Sequence, residues 1–390
     1  MKSSSRSRKT KWMMINPALA ATLCISVLSF HPSARAQETK EKVVVDDVDR
    51  SYVLRLPRGY DPQQHYPVVI VLHGMNQDTD DIERLTRFDE LADKDSIIVV
   101  YPTALHGRWN VGVRPDERRQ SYGPGPGRRR GGYGGGGYPG GGGGYPGGGG
   151  GYPQGGGNNP QGGGQNNPEE DRKPTNADDV AFFNAMLDKI ESKLPVDVSR
   201  VYATGLSEGG FMAMRAGCAM SDRIAAIASV GAAMPKKMIC IPTRPVAAMM
   251  IDGTSDPIVP YGGGTEHNLQ LSTISVEDSA KAWARIDRCA EKPHQTKLSA
   301  HEKGGMETKV DTYDGCQQGA AVVLYSVKGA GNTWPGGEQY EVENQIGKTS
   351  QDLNANETIW SFLVTKKNPT ALGPEKSDKD KDKDKDTTEK

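Results

Sequence analysis

The chain has 390 residues, with 48 Lys and Arg against 49 Asp and Glu and a formal net charge of −1. That balance excludes the basic bias of a general nucleic-acid binder and the acidic excess of a solvating chain. With 35% hydrophobic residues, it carries enough apolar surface for a packed core once its biased segments are set aside.

The N-terminus reads as a signal segment over residues 1–36: basic MKSSSRSRKTK, an apolar stretch from Trp12 to Phe30, then Ala34-Arg35-Ala36 as a small-x-small cleavage site. The mature protein is expected to begin near Gln37 and to be secreted or periplasmic. Asn16 and Pro17 interrupt an already short apolar run, which argues against a lasting membrane span. Cys24 lies inside that run and leaves with it.

A folded domain is expected from residues 43–113 and 172–365. KVVVDDVDRSYVLRLP predicts two strands joined by a turn near Asp46 and Asp47, and YPVVIVLHG a strand buried on both faces. One helix is predicted over DDIERLTRFDELADKD from the spacing of Ile82, Leu85, Phe88 and Leu91, and SIIVVYPT predicts the next strand. Residues 114–171 then form a Gly/Tyr/Pro-rich insert, with Tyr138, Tyr145 and Tyr152 at equal intervals in YPGGGGG units behind Arg128-Arg129-Arg130. Such a stretch cannot bury enough apolar surface to offset its backbone entropy, so it is predicted to be disordered. The alternating-charge tail, residues 366–390, is predicted to be disordered as well.

Beyond the insert, NADDVAFFNAMLDKIESKL predicts an amphipathic helix capped by Asn176 or Asp178. Strand VSRVYATGLS, helix EGGFMAMRAGCAM, strand IAAIASVGA, strand PVAAMMIDGTSD, helix TISVEDSAKAWARIDRC, strand AAVVLYSVKGA and a last helix in DLNANETIWSFLVTK follow. Alternating buried strands and helices predict a doubly wound, mostly parallel α/β sheet with ligands beyond the carboxyl ends of its strands.

The chemistry falls at those ends. GLSEG, Gly205 to Gly209, is a G-x-S-x-G pattern between a predicted strand and a predicted helix, the context of a nucleophile elbow, with Ser207 at the apex. The backbone N–H groups of Glu208 and of Met75, in HGMNQ, are the candidate oxyanion donors. The Glu208 carboxylate itself reads as a solvated charge at a helix start. In MMIDGTSDPIVPY, Asp256 is the preferred acid, and Asp252 reads as a strand-end residue bonding to local backbone. Cys218, Cys240, Cys289 and Cys316 remain for an oxidising compartment; they suggest two disulfides with three possible connectivities, of which pairing sequence neighbours closes the shortest loops. No CxxC pair and no suitably spaced His suggests a metal, and no organic cofactor is implied.

The motifs PVVIVLHG, ADDVAFFNAMLD, VDVSRVYATGLSEGGFMAM, DGTSDPIVPYGGG, GNTWPGG and IGKTSQDLNANETIW, in this order, resemble the secreted polyhydroxybutyrate depolymerase and feruloyl esterase-like group of α/β-hydrolases, over about Tyr52 to Leu363 without the insert. The resemblance implies an ester substrate, Ser207 as nucleophile, Asp256 as acid, oxyanion donors near Met75 and Glu208, Trp109 and Trp334 close to the substrate, and the pairs Cys218/Cys240 and Cys289/Cys316. At one position the chain departs from the group: Asn332 stands where the family motif has the histidine base. Asparagine does not ionise near neutral pH, so the expectation is a weakened ester hydrolase, or alternatively a non-catalytic extracellular binding protein on the same scaffold. His73 is expected to order the oxyanion loop, and His106 and His267 are expected to be surface residues, the alternative being that one of them substitutes as the base within about 3 Å of Ser207 Oγ.

Overall fold

The computed structural model describes residues 37–113, 177–266, 271–300 and 305–371. The expected signal segment, the insert, most of the charged tail, His267 and His301 lie outside the described residues.

A ten-stranded sheet carries the fold. It opens with the hairpin β1 (Gln37–Val45) and β2 (Val48–Leu56), whose tight turn places Asp46 and Asp47 at φ +50° and +61°, the left-handed region that short-side-chain Asp tolerates. The hairpin starts at Gln37 rather than near residue 43, because the polar QETKEK pairs with the whole of β2, from Gln37 opposite Leu56 onward. β3 (Tyr66–Leu72), β4 (Ile98–Pro102), β5 (Val196–Leu206), β6 (Ile224–Val230), β7 (Ala247–Gly253) and β12 (Val322–Val327) form the parallel centre in the spatial order β4, β3, β5, β6, β7, β12. β3, β4, β6 and β7 are buried at every position, as continuous Val/Ile/Ala runs require when helices cover both faces.

On the far edge, β10 (His294–Leu298) and β11 (Thr308–Tyr313) extend the sheet antiparallel from β12, and β8 (Gly264–Glu266) with β9 (Leu271–Thr273) makes a separate small hairpin. The sequence reading assigned none of these four. β10 is exposed at all five positions and carries no apolar alternation for a pattern to detect.

One face of the sheet packs α3 (Asp179–Lys193), α4 (Glu208–Ala219) and α5 (Val276–Ile286) through Phe182, Phe183, Phe211 and Trp283. The other packs α1 (Thr79–Thr86), α2 (Phe88–Asp95) and α7 (Ala355–Leu363) through Ile82, Leu85, Phe88 and Trp360. α1 and α2 replace the single helix expected from residue 80 onward: Arg87 takes φ +49° between them, so the apolar spacing continues while the axis breaks. Asp178, not Asn176, caps α3, accepting from Ala181 N–H at 3.0 Å. A short α6 (Glu343–Ile346) lies in the loop after β12.

The two disulfides are Cys218–Cys240 and Cys289–Cys316. Packing continues past residue 365, where the tail was expected to begin: Tyr202 Oη donates to the Lys366 carbonyl at 2.8 Å, and buried Asn368 bonds Ser199 and Asp222.

Candidate active site

β5 ends at Leu206, α4 begins at Glu208, and Ser207 between them has φ +56° and ψ −116°. A serine held in this region costs on the order of 1–3 kcal/mol and persists only where its surroundings fix it. Here they do: Ser207 N–H donates to Val230 O at 2.8 Å, and its carbonyl accepts from Phe211 N–H at 3.1 Å. Gly205 and Gly209 make the turn possible by close approach. A Cβ on Gly209 would stand 2.2 Å from the Leu72 carbonyl oxygen, and one on Gly205 2.6 Å from the Gly209 carbonyl carbon.

The loop after β3 is tied to the loop after β4 by three bonds. His73 Nε2 accepts from Ala104 N–H at 3.1 Å, which leaves the ring proton on Nδ1, 2.7 Å from the Gly74 carbonyl. Trp109 Nε1 donates to His73 O at 2.9 Å, and Asn76 N–H to Gly107 O at 2.9 Å. Burial pushes the His73 pKa down, so a neutral ring with both nitrogens engaged holds this loop. Met75 lines the cavity beside Ser207, and Glu208 supplies the first amide of α4, a position outside the helix's own hydrogen-bond ladder.

The Glu208 carboxylate is not the solvated charge the sequence suggested. It is buried at 1% exposure and accepts from Arg108 Nε at 3.1 Å, the guanidinium being itself buried. A charge at this depth requires a partner, and Arg108 is 100 residues away in sequence, beyond the reach of any local signal.

Asp256 follows β7. Its Oδ1 accepts from Ile258 N–H and Val259 N–H, both at 2.8 Å, and its Oδ2 from Asn332 Nδ2 at 2.7 Å. Asp252 has a different place. Buried at the end of β7, it accepts from Ala232 N–H at 2.8 Å, tying β7 to the loop after β6, and burial with Asp256 nearby pushes its pKa well up.

Asn332 is fully buried in the loop after β12. Its backbone N–H donates to Ile346 O, and its carbonyl accepts from Tyr340 Oη at 3.0 Å. Nδ2 also reaches the Gly231 carbonyl at 3.0 Å. Both side-chain partners are acceptors, so the amide orientation is fixed with nitrogen toward them, and Oδ1 has no donor. Burial raises the Tyr340 pKa and keeps its hydroxyl a donor.

These loops enclose a cavity of about 390 Å³ lined by Met75, Gln77, Ser207, Ile258, Tyr340 and Ile346 among others. No histidine of the described residues lines it. His106 is exposed beside Gly107, and His294 opens β10 at the edge of the sheet. Trp109 and Trp334 do not line it either, against expectation. Both are buried in the core, Trp109 between His73 and Phe183, and Trp334 against Phe88 with its Nε1 on Asn356 Oδ1 at 2.8 Å. Arg108, Tyr340 and Gly231 were absent from the sequence reading; their roles exist only through contacts between distant segments. Among the described residues no group of three or more His, Cys, Asp or Glu could hold a metal ion, and no helix is long and apolar enough to cross a membrane.

A serine on a strained strand-to-helix turn at the carboxyl end of a mostly parallel sheet, with an acid after β7 and its partner after β12, defines an α/β-hydrolase fold. A family model described as "Putative esterase" matches residues 47–130. The chain is 25% identical to "Putative esterase NocK" of Nocardia uniformis subsp. tsuyamanensis over 364 residues, 89% of this chain and 90% of that protein. It is 32% identical to feruloyl esterase B of Piromyces equi over 165 residues, 40% of this chain, and spans 29% of that enzyme's length. An acetyl xylan esterase from Aspergillus awamori overlays with a TM-score of 0.47 and 11% identity, over 84% of this chain and 99% of that one. The chain thus has the α/β-hydrolase fold and is similar in sequence to esterases, among them feruloyl esterases.

Proposed function

We propose that the protein is an exported hydrolase of carboxylic esters in which Ser207 is the nucleophile, Asp256 the triad acid, and the N–H groups of Met75 and Glu208 the oxyanion donors, while Asn332 fills the place of the base. The observation that carries this reading is the 2.7 Å bond from Asn332 Nδ2 to Asp256 Oδ2 beside the cavity that holds Ser207. In a working triad the base donates one ring N–H to the acid and turns its other nitrogen to the serine. Asn332 reproduces the first contact with an amide and offers only a neutral carbonyl oxygen for the second.

Ser207 Oγ would attack the ester carbonyl, and backbone donors would stabilise the oxyanion with no reorganisation. Without a proton acceptor, what remains is the share due to binding and the oxyanion hole, roughly 10³–10⁴ over water. The names of the feruloyl esterase relatives favour esters of an aromatic acid, and the sequence resemblance adds polyesters as a second class. Two disulfides fit an oxidising compartment, in keeping with export. A second reading, a binding protein that keeps the ester pocket without turnover, is favoured by the same neutral amide.

Hydrolysis of a short-chain nitrophenyl ester by the parent, Ser207→Ala and Asn332→His tests the proposal. A gain of about 10³ or more in Asn332→His, abolished by adding Ser207→Ala, supports it. Failure of an organophosphonate to label Ser207 in the folded protein would sink it.

A further inference from the structure

A triad base has three duties: it takes the serine proton, protonates the departing group, and later activates the water that frees the acyl group. Asn332 can perform none of them, but the three losses are unequal. A phenol ionises at about 10, so a phenolate leaves without a proton; thiolates leave more easily still. An alkoxide, whose parent alcohol is nearly as weak an acid as water at about 16, does not. The acyl-serine is itself an ester of an alkyl alcohol, and its hydrolysis needs both an activated water and a protonated leaving oxygen. Deacylation is therefore the step that Asn332 slows most.

The surroundings fit that asymmetry. Ser207 is only half-buried and faces a cavity of about 390 Å³, so its proton can pass to solvent water during acylation. Asn332 is fully buried, with Nδ2 committed to Asp256 and Gly231. His73 has both ring nitrogens bonded within its loop. Among the described residues, no imidazole is placed to activate a water in the cavity.

Resting on the assignment of Ser207 as nucleophile, we propose that the site takes aryl esters or thioesters in preference to alkyl esters and retains the acyl group on Ser207, so that the protein is a slow-release acyl acceptor. In the step, the bond from Ser207 Oγ to the acyl carbon forms, the carbon–oxygen or carbon–sulfur bond to the leaving group breaks, the leaving group keeps the electron pair, and the serine proton goes to water. No oxidant or further reactant is needed.

The test mixes the full chain with 4-nitrophenyl acetate, with S-phenyl thioacetate and with ethyl acetate, and follows product release together with the intact mass. The expected result is a burst of one nitrophenolate or thiophenolate per chain, a following rate at least about 10²-fold lower, one acetyl group mapped to Ser207, and neither adduct nor product from ethyl acetate. Asn332→His should convert the burst into continuous turnover and admit the alkyl ester. Ser207-dependent turnover of ethyl acetate by the parent would overturn this proposal and leave the esterase reading standing. So would acetylation undiminished in Ser207→Ala, as expected if only lysines react. If neither the parent nor Asn332→His reacts at Ser207 with any probe, both the esterase reading and this proposal fail.

Discussion

Asn332 Nδ2 lies 2.7 Å from Asp256 Oδ2, while two backbone N–H groups hold the other oxygen of the same carboxylate. The Asp256 carboxylate is thus held on both oxygens, on one of them by a neutral amide that does not ionise near neutral pH. Asp256→Asn in the parent should act on stability, because it sets an amide against the Asn332 amide or leaves a buried donor unpaired; a loss of about 1–3 kcal/mol is expected from chemical unfolding. In an Asn332→His background the same change should lower kcat by up to about 10⁴. A double-mutant comparison in which Asp256→Asn costs activity equally with and without the histidine would contradict the assignment.

Arg108 joins the two sides of the site. It lies in the loop bonded to His73 and Asn76, and its guanidinium pairs with Glu208, the residue next to Ser207. Arg108→Ala would leave a buried carboxylate without its cation, at a cost of about 3–5 kcal/mol. Arg108→Met combined with Glu208→Gln removes both charges and should recover most of the stability. If the pair only stabilises the fold, the double variant should label with an organophosphonate at the parent's rate. If it also positions the Glu208 amide, labelling should stay slow although the melting temperature is restored.

At the elbow, the demand for glycine is steric. Gly209→Ala would bring a methyl group 2.2 Å from the Leu72 carbonyl oxygen, backbone against backbone, whereas a Cβ on Gly262 meets nothing within 4 Å. Gly209→Ala should therefore cost more than about 3 kcal/mol or abolish folding, by the reasoning that overpacked sites force backbone shifts, and Gly262→Ala should be close to neutral. Equal melting temperatures for the two variants would remove the geometric argument for the turn.

The parts of this molecule that were legible in the sequence are those where local pattern and tertiary role coincide. Val68 to Leu72 and Ala247 to Ile251 read as buried strands because helices cover both their faces. Gly205 to Gly209 read as an elbow because the turn needs its small residues within five positions. What was not legible depends on partners far along the chain. Glu208 looked solvent-facing because nothing nearby announces Arg108, and Trp109 and Trp334 looked like pocket residues although their indole N–H groups bond inside the core. β10 escaped because an edge strand exposed at every position shows no apolar period, and β11 because its two apolar residues, Val310 and Tyr313, are not two apart.

Asp287, at the end of α5, offers a test of burial by pH. It is buried, its Oδ1 accepts from Val246 N–H at 3.0 Å, and loss of water pushes its pKa up to about 7, against the milder opposing pulls of that Val246 hydrogen bond and of the Arg244 charge. Between the ordinary carboxylate value near 4 and about 7, the unfolded chain ionises at this residue while the folded chain keeps the proton. The folded state then binds more protons, so stability falls as pH rises through this window and levels off above it. Asn retains the acceptor for Val246 and removes the ionisation. Oδ2 of Asp287 has no partner, so the amide donors of Asn and the hydroxyl of the protonated acid carry a similar penalty at low pH. Asp287→Asn should therefore match the parent's melting temperature near pH 4 and exceed it by several degrees at pH 8. A variant less stable than the parent at pH 8 would mean that Asp287 is ionised and paired with Arg244 in the folded state, which would reverse the sign of its contribution.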